Sequence, residues 1–262
     1  MQTLELYQID AFAEKPFSGN PAAIVMLKNW LPDTTMQNIA MENNLAETAF
    51  IVPVNDLFHI RYFSLLAEVE LCGHATLASG FVLFNLKGYT YPTITFRTLK
   101  RGDLFVSHEK DIYLLDFPAD EMEPIPLPKG LTEALKLSPV RAFRGKTDLM
   151  LLFESEDQIK NLNPNFEALS QIVARGIIVT AKGNEVDFVS RFFAPAIGIN
   201  EDPVTGSAHT SLIPFWSRQL GKTSLLAKQL SKRSGTIYCE MKGNRVSIGG
   251  KAIHFLSGTI SL

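Results

Sequence analysis

The sequence predicts an α+β protein made of two near-equal copies of one plan, and three observations carry that prediction. Short alternating or apolar runs, separated by Gly, Pro and Asn turns, dominate the chain, with few helical stretches between them. The run Ala75-Thr76-Leu77-Ala78-Ser79-Gly80-Phe81-Val82-Leu83-Phe84 is apolar on every side, which marks a central, buried helix. A strand, a loop, a small nucleophilic residue, a glycine and a helix then recur in the same order roughly 130 residues apart. The first copy is Arg61-Tyr62-Phe63 with Cys72-Gly73-His74-Ala75, and the second is Arg191-Phe192-Phe193 with Thr205-Gly206-Ser207-Ala208.

Taken in order, Leu4 to Phe12 alternates as a strand, and Ala22 to Leu27 is its partner across Pro16-Phe17-Ser18-Gly19-Asn20-Pro21. Asp33 offers an N-cap to a helix carrying Met36, Ile39 and Ala40, which ends at Asn43-Asn44. Thr48–Val54 and Leu57–Phe63 form a strand pair turning at Asn55-Asp56. The buried helix stops at Lys87-Gly88, where glycine suits a left-handed cap. Strands follow at Thr93–Arg97, Leu104–His108 and Ile112–Phe117. Pro118, Pro124, Pro126 and Pro128 then interrupt any regular element, so the predicted domains are 1–118 and 119–262, with the last strand free to return to the first domain.

The same grammar repeats beyond the prolines. Helices are expected at Leu131–Leu137, near Phe166–Ala174 and from Gly206, the last with a kink or shift at Pro214. Strands are expected at Val140–Phe143, Leu149–Phe153, Ile177–Thr180, Val186–Phe193, Thr236–Met241, Arg245–Ile248, Ile253–Leu256 and Thr259–Ser261.

Composition narrows the class without naming it. The 262 residues, 46% hydrophobic and 20% charged, suit one large globular domain or two ordinary ones. A formal charge of −2 gives no bulk attraction for nucleic acid or anionic lipid. No apolar run approaches the roughly 18 residues of a membrane span. Cys72 and Cys239 are too few for a disulfide framework, and the first residues carry Glu5 and Asp10 rather than a basic and apolar leader, so a cytoplasmic protein is expected.

Chemistry concentrates at the two repeated turns. Helices opening at Gly73 and Gly206 present free backbone N–H groups and partial positive charge, suited to a carboxylate or an oxyanion in a cleft between the domains. Asp202 is placed to orient a neighbour or accept a proton. Ser207 is either a capping hydroxyl or a donor, and His74 either structural or functional. Glu47 hands a helix end over to the apolar run 48–52, and reads equally as an exposed turn residue or as a general base made by burial. Asn20 is a turn residue whose amide could also hold a substrate carboxylate or amine.

Other signals fail. Gly221-Lys222-Thr223 lacks the upstream glycine of a phosphate loop, since residue 216 is Trp. There is no dinucleotide fingerprint after a strand, no metal-ligand spacing among the histidines and cysteines, and no Gly-x-Ser-x-Gly elbow.

Five strings carry a family likeness. Ser18-Gly19-Asn20-Pro21-Ala22, Asn44-Leu45-Ala46-Glu47-Thr48-Ala49-Phe50, Glu68-Val69-Glu70-Leu71-Cys72-Gly73-His74-Ala75-Thr76-Leu77-Ala78, Glu201-Asp202-Pro203-Val204-Thr205-Gly206-Ser207-Ala208-His209 and Val246-Ser247-Ile248-Gly249-Gly250-Lys251-Ala252 resemble, in order, the signatures of the PhzF-type phenazine biosynthesis family. The resemblance implies the diaminopimelate-epimerase-like fold, with two pseudo-symmetric β-barrel-like domains each wrapped around a central helix. It further implies a cofactor-independent isomerase, often a homodimer, acting on a small carboxylated metabolite in the cleft. By the same resemblance Glu47 is the acid/base, with His74, Asp202 and Ser207 beside it, and Ser18, Asn20, Cys72, Gly73, Thr205 and Gly206 hold the ligand. Epimerases of this fold use paired cysteines, but here the pair is Cys72 and Thr205, and a threonine hydroxyl is too weak an acid–base group near neutral pH. An epimerase working through Cys72 and another acid, or a catalytically silent binding protein, are the alternatives.

Overall fold

The computed structural model describes residues 2–262. The chain divides into two compact units, Met1–Asp116 with Gly249–Leu262, and Phe117–Ile248.

The first unit begins with β1 (Thr3–Ala11), antiparallel to β2 (Asn20–Met26). Gly19 turns between them at φ +69°, and a Cβ there would lie 2.2 Å from the Ala11 carbonyl, so this tight approach requires glycine. Helix α1 (Asp33–Asn43) buries Met36, Ile39 and Ala40 and closes on the left-handed Asn44. Its N-cap is Pro32 rather than the expected Asp33. The Asp33 carboxylate lies within the first turn and accepts a hydrogen bond from Arg61 instead. β3 (Glu47–Val54) runs parallel to β2, and β4 (Leu57–Ser64) returns antiparallel to β3, followed by the short β5 (Glu68–Val69).

Helix α2 (Gly73–Phe81) is buried from His74 to Gly80 and widens into a π-turn over Val82–Leu86. A polar hydroxyl inside such a helix must find an acceptor, and two do so on the helix itself. Thr76 donates to the Cys72 carbonyl at 2.6 Å and Ser79 to the Ala75 carbonyl at 2.7 Å. β6 (Thr93–Arg97) lies parallel to β4, with β7 (Asp103–Glu109) and β8 (Ile112–Pro118) continuing antiparallel. α2 contacts β1, β2, β3 and β7, so this sheet curls around its helix.

The second unit opens with β9 (Glu123–Ile125), α3 (Leu131–Leu135), β10 (Arg141–Arg144) and β11 (Asp148–Leu152). Two short helices follow, α4 (Glu156–Asn161) and α5 (Phe166–Ser170), each capped by a side chain, Ser155 and Asn165 respectively. α4 went unrecognised in the sequence, and the expected helix near 166–174 stops at Ser170. β12 (Gly176–Lys182), β13 (Phe188–Ala194) and β14 (Ile199–Asp202) lead to α6 (Gly206–Leu220). The unit is completed by β15 (Ser224–Gln229), β16 (Gly235–Lys242) and β17 (Arg245–Gly250).

α6 is the buried counterpart of α2. Trp216 donates from its indole to Thr180 of β12 at 2.9 Å and stacks on Phe188 of β13, while Phe215 meets Phe143 of β10 edge to face. α6 spans Gly206–Leu220 with Pro214 in its interior. Proline removes the N–H that would have bonded the Thr210 carbonyl, but the Asp120 N–H takes that acceptor at 3.0 Å.

A single strand, β18 (Ala252–Ser261), closes the chain where two short strands were expected. It pairs antiparallel with β1 from Thr3 to Ala11, contacts α2, and places Ile260 against the core of the first unit. No described helix is long and apolar enough to cross a membrane.

Candidate active site

Parallel pairing of β2 with β3 sets Ala22 opposite Glu47, which brings the start of β2 beside the start of β3. α2 lies against both strands, so its first turn joins the same corner. Glu47, Asn20, Cys72 and His74 therefore meet although they are scattered along the sequence. Glu47 is only 13% exposed at its side chain and stands 3.3 Å from His74 Nε2. Asn20 is fully buried, and its Nδ2 is 3.2 Å from His74 Nδ1. The Cys72 thiol lies 3.5 Å from Nδ1 and 3.9 Å from Nε2.

Burial pushes the His74 pKa down to about 3, so the ring is neutral at ordinary pH. The network assigns its tautomer. With the Asn20 amide donating to Nδ1, the ring proton resides on Nε2 and is donated to the Glu47 carboxylate. The contact is thus a directed hydrogen bond rather than an ion pair. Glu47, Cys72 and His74 also place three potential metal-ligand atoms within 4.8 Å of one another, although their sequence spacing is not that of a metal motif.

The second unit builds a different group at its equivalent turn. Thr205 precedes α6 as Cys72 precedes α2, and its hydroxyl donates to the Asp202 carboxylate. Gln229 donates to the same hydroxyl at 3.2 Å and to the Asp202 carbonyl at 2.8 Å, and accepts the Thr205 N–H at 2.9 Å. Ser207 does not cap its own helix; its hydroxyl accepts from Arg175 at 3.1 Å. The guanidinium also holds the buried Asp148 through both carboxylate oxygens. Burial acts to lower the Arg175 pKa, but the Asp148 hydrogen bond and charge, with Asp202 and Asp120 nearby, hold it above the usual value.

His209 repeats, four residues into α6, what Thr76 does in α2. Its Nδ1–H donates to the Thr205 carbonyl at 2.8 Å, and burial pushes its pKa down to about 4.

An arginine locks the segment before each turn. In the first unit Arg61 grips Glu68 with two bonds of 2.7 Å and lies over Phe63. In the second, Arg191 grips Glu201 at 2.7 and 3.1 Å and lies over Phe193. Glu68 and Glu201 are therefore bound structurally, not poised for chemistry. Ser18 closes its own turn by donating to the Lys15 carbonyl at 2.7 Å. Gly73 and Gly206 are the first residues of their helices, as expected.

Arg175, Asp148 and Gln229 went unmarked in the sequence. Arg175 sits in irregular chain after α5, and Gln229 ends a strand, SLLAKQ, that has no clean alternation. Only their convergence on the α6 turn reveals them.

Strands curled around two buried helices, which open at a Cys-Gly and a Thr-Gly turn, define an α+β protein of the diaminopimelate-epimerase-like class. A probable proline racemase from Agrobacterium radiobacter shares this fold at 9% identity, with a TM-score of 0.67 over 99% of this chain and 93% of its own. Closer comparison gives the family. The sequence matches the phenazine biosynthesis-like protein (PhzC-PhzF) family over residues 9–258, and the chain belongs to it. A PhzF family protein from Enterococcus faecalis is 45% identical, with a TM-score of 0.97 and full coverage of both chains. A protein of Pseudomonas aeruginosa named an uncharacterized isomerase is 48% identical over 99% of each chain.

Proposed function

We propose that this protein is a cofactor-independent isomerase that moves a proton on a small carboxylated metabolite, with Glu47 as the acid/base. The observation that carries the reading is the Asn20–His74–Glu47 chain of hydrogen bonds. It aims a partly buried carboxylate through a neutral imidazole whose other nitrogen is already engaged. The reading is supported by the family and by the isomerase name of a close relative.

In the proposed step, Glu47 takes a proton from a carbon made acidic by an adjacent carbonyl or carboxylate. The electron pair shifts along the conjugated carbons, and the protonated Glu47, whose proton exchanges with solvent, delivers a proton at a carbon conjugated with the first. The Nε2–H of His74 orients the carboxylate and supports its charge before and after transfer. The N–H groups opening α2 at Gly73 are assigned to the ligand's carboxylate, with Asn20 and Cys72 as close neighbours. In the second unit Asp202 and Ser207 are proposed as accessory groups, with Thr205 and Gly206 holding the ligand and Arg175 as a further cation. A two-thiol epimerisation is disfavoured because the position paired with Cys72 carries the Thr205 hydroxyl instead of a thiol.

The test begins with a thermal-shift screen of small carboxylates, followed by deuterium incorporation from solvent into each ligand found. Glu47→Gln is expected to lower exchange by about 10²- to 10⁴-fold while ligand binding is kept. Undiminished exchange in that variant overturns the assignment. Alkylation of Cys72 with a small reagent separates the thiol alternative, in which exchange is lost because the base itself is modified. A ligand that binds without any exchange in the unaltered protein favours the catalytically silent alternative.

A further inference from the structure

We propose that Glu47, Cys72 and His74 form a three-ligand site for a thiophilic divalent cation of the zinc class, whose binding shuts off proton transfer. The inhibitory part rests on the reading of Glu47 as the acid/base; the site itself does not.

Three donors within 4.8 Å of one another are the number a tetrahedral ion with one open position takes from a protein. Bond lengths of about 2.0–2.1 Å to nitrogen and oxygen and about 2.3 Å to sulfur require ligand atoms roughly 3.3 Å apart for N···O and about 3.6 Å apart for S···N. Here His74 Nε2 is 3.3 Å from Glu47 Oε2 and 3.9 Å from Cys72 Sγ. The His74–Glu47 pair already has that spacing. The Cys72 sulfur stands nearer Nδ1, at 3.5 Å, than Nε2, so its side chain must swing by more than about 1 Å to meet an ion held on Nε2. The ligands stand on regular structure: Glu47 opens β3, Cys72 is the N-cap of α2, and His74 lies in its first turn.

The donor set is selective as well. One thiolate, one imidazole and one carboxylate favour zinc, cobalt or nickel over magnesium or calcium, which take oxygen ligands. The thiolate and the carboxylate together neutralise a doubly charged ion, so the occupied site carries no net charge. The outer shell fits too. A ligating histidine ordinarily donates its other N–H to an acceptor. Turning the Asn20 amide end for end, with little change in shape, replaces its Nδ2 near His74 Nδ1 by Oδ1. The proton then moves to Nδ1, and Nε2 is bared for the metal. Such an ion would occupy the carboxylate oxygen and the imidazole nitrogen that the proposed proton transfer uses.

The test uses the full chain, freed of metal by chelator and titrated with zinc or cobalt chloride alone. One equivalent of zinc is expected to bind in competition with a chromogenic chelator. Cobalt is expected to give intense visible bands of a four-coordinate ion and a near-ultraviolet thiolate charge-transfer band. Cys72→Ser should remove the charge-transfer band, Cys239→Ser should leave it, and Asn20→Ala should weaken affinity by about 10- to 100-fold. Zinc should also protect Cys72 of the unaltered protein from alkylation, a readout that needs no variant to fold. A pale six-coordinate cobalt spectrum, a charge-transfer band that survives Cys72→Ser, or alkylation unaffected by zinc overturns the site. Zinc should suppress deuterium exchange and a chelator restore it. If zinc binds with the thiolate signature while Glu47→Gln exchanges normally, the acid/base reading falls and the site stands. If Glu47→Gln is inert but no thiolate signature forms, the reverse holds.

Discussion

At the scale of single residues, the two buried histidines show how a short sequence window conceals function. His74 and His209 both follow a Gly at the start of a buried helix, and burial lowers both pKa values. The one faces Glu47, whereas the other turns inward to its own helix carbonyl and the Phe188 ring. No spacing rule separates these outcomes, because the first depends on the β2–β3 register that delivers Glu47. His209 therefore makes a prediction about stability rather than catalysis. Its folded pKa of about 4 lies below the ordinary value of 6.5, so between these pH values the unfolded chain binds a proton that the folded chain refuses. Its contribution is complete above pH 6.5 and is lost as pH falls towards 4, by up to about 1.4 kcal/mol per pH unit. His209→Asn keeps a donor for the Thr205 carbonyl but does not titrate. Chemical denaturation at pH 5 and pH 7 should show a smaller loss for this variant than for the unaltered protein. His74 is present in both and cancels. Equal losses would mean that His209 is protonated in the folded state.

Elements were more legible than contacts. The alternation of Leu4–Phe12 and Leu57–Phe63, and the all-round apolar run after Gly73, correspond closely to β1, β4 and α2. What escaped were elements whose cause lies elsewhere in the fold. Gly80 is one case: a Cβ there would meet Val106 Cγ1 at 2.6 Å, so α2 carries a poor helix former where β7 must approach. Pro214 is another. A proline inside a helix leaves the carbonyl four residues before it without its helical donor, and nothing in the sequence signals that the Asp120 N–H fills that place on the Thr210 carbonyl. Pro214→Ala would return a helical N–H to compete for that carbonyl. Asp120 is then expected to lose amide hydrogen-exchange protection while the helix around residue 214 gains it. Unchanged protection at Asp120 would show that its bond to Thr210 does not depend on the proline.

For the whole molecule, the repeat is physical rather than literal. Arg61 with Glu68 and Phe63, and Arg191 with Glu201 and Phe193, share almost no letters beyond the Arg-aromatic pair and the acid, yet both tie a strand to the segment before a helix turn. The two units nevertheless differ in how the chain completes them. The second is one continuous stretch, Phe117–Ile248, with a core of its own that includes Leu131, Leu149, Val179, Val189 and Phe193. The first needs both ends of the chain. β18 pairs with β1 from Thr3 to Ala11, Ile260 packs on the core around Leu4 and Phe50, and Gln2 and Leu262 exchange two backbone hydrogen bonds. Without β18, β1 has an open hydrogen-bonding edge and its core loses an apolar cover, the combination that leads to strand-mediated association. A fragment of residues 1–118 is therefore expected to aggregate or lack cooperative unfolding. The same fragment joined through a flexible linker to residues 249–262 should fold, and residues 117–248 should fold without help. Circular dichroism and denaturant titration of the three fragments decide the matter. Cooperative unfolding of 1–118 alone, with a midpoint equal to that of the joined fragment, would show that the closing strand decorates the first unit rather than completing it.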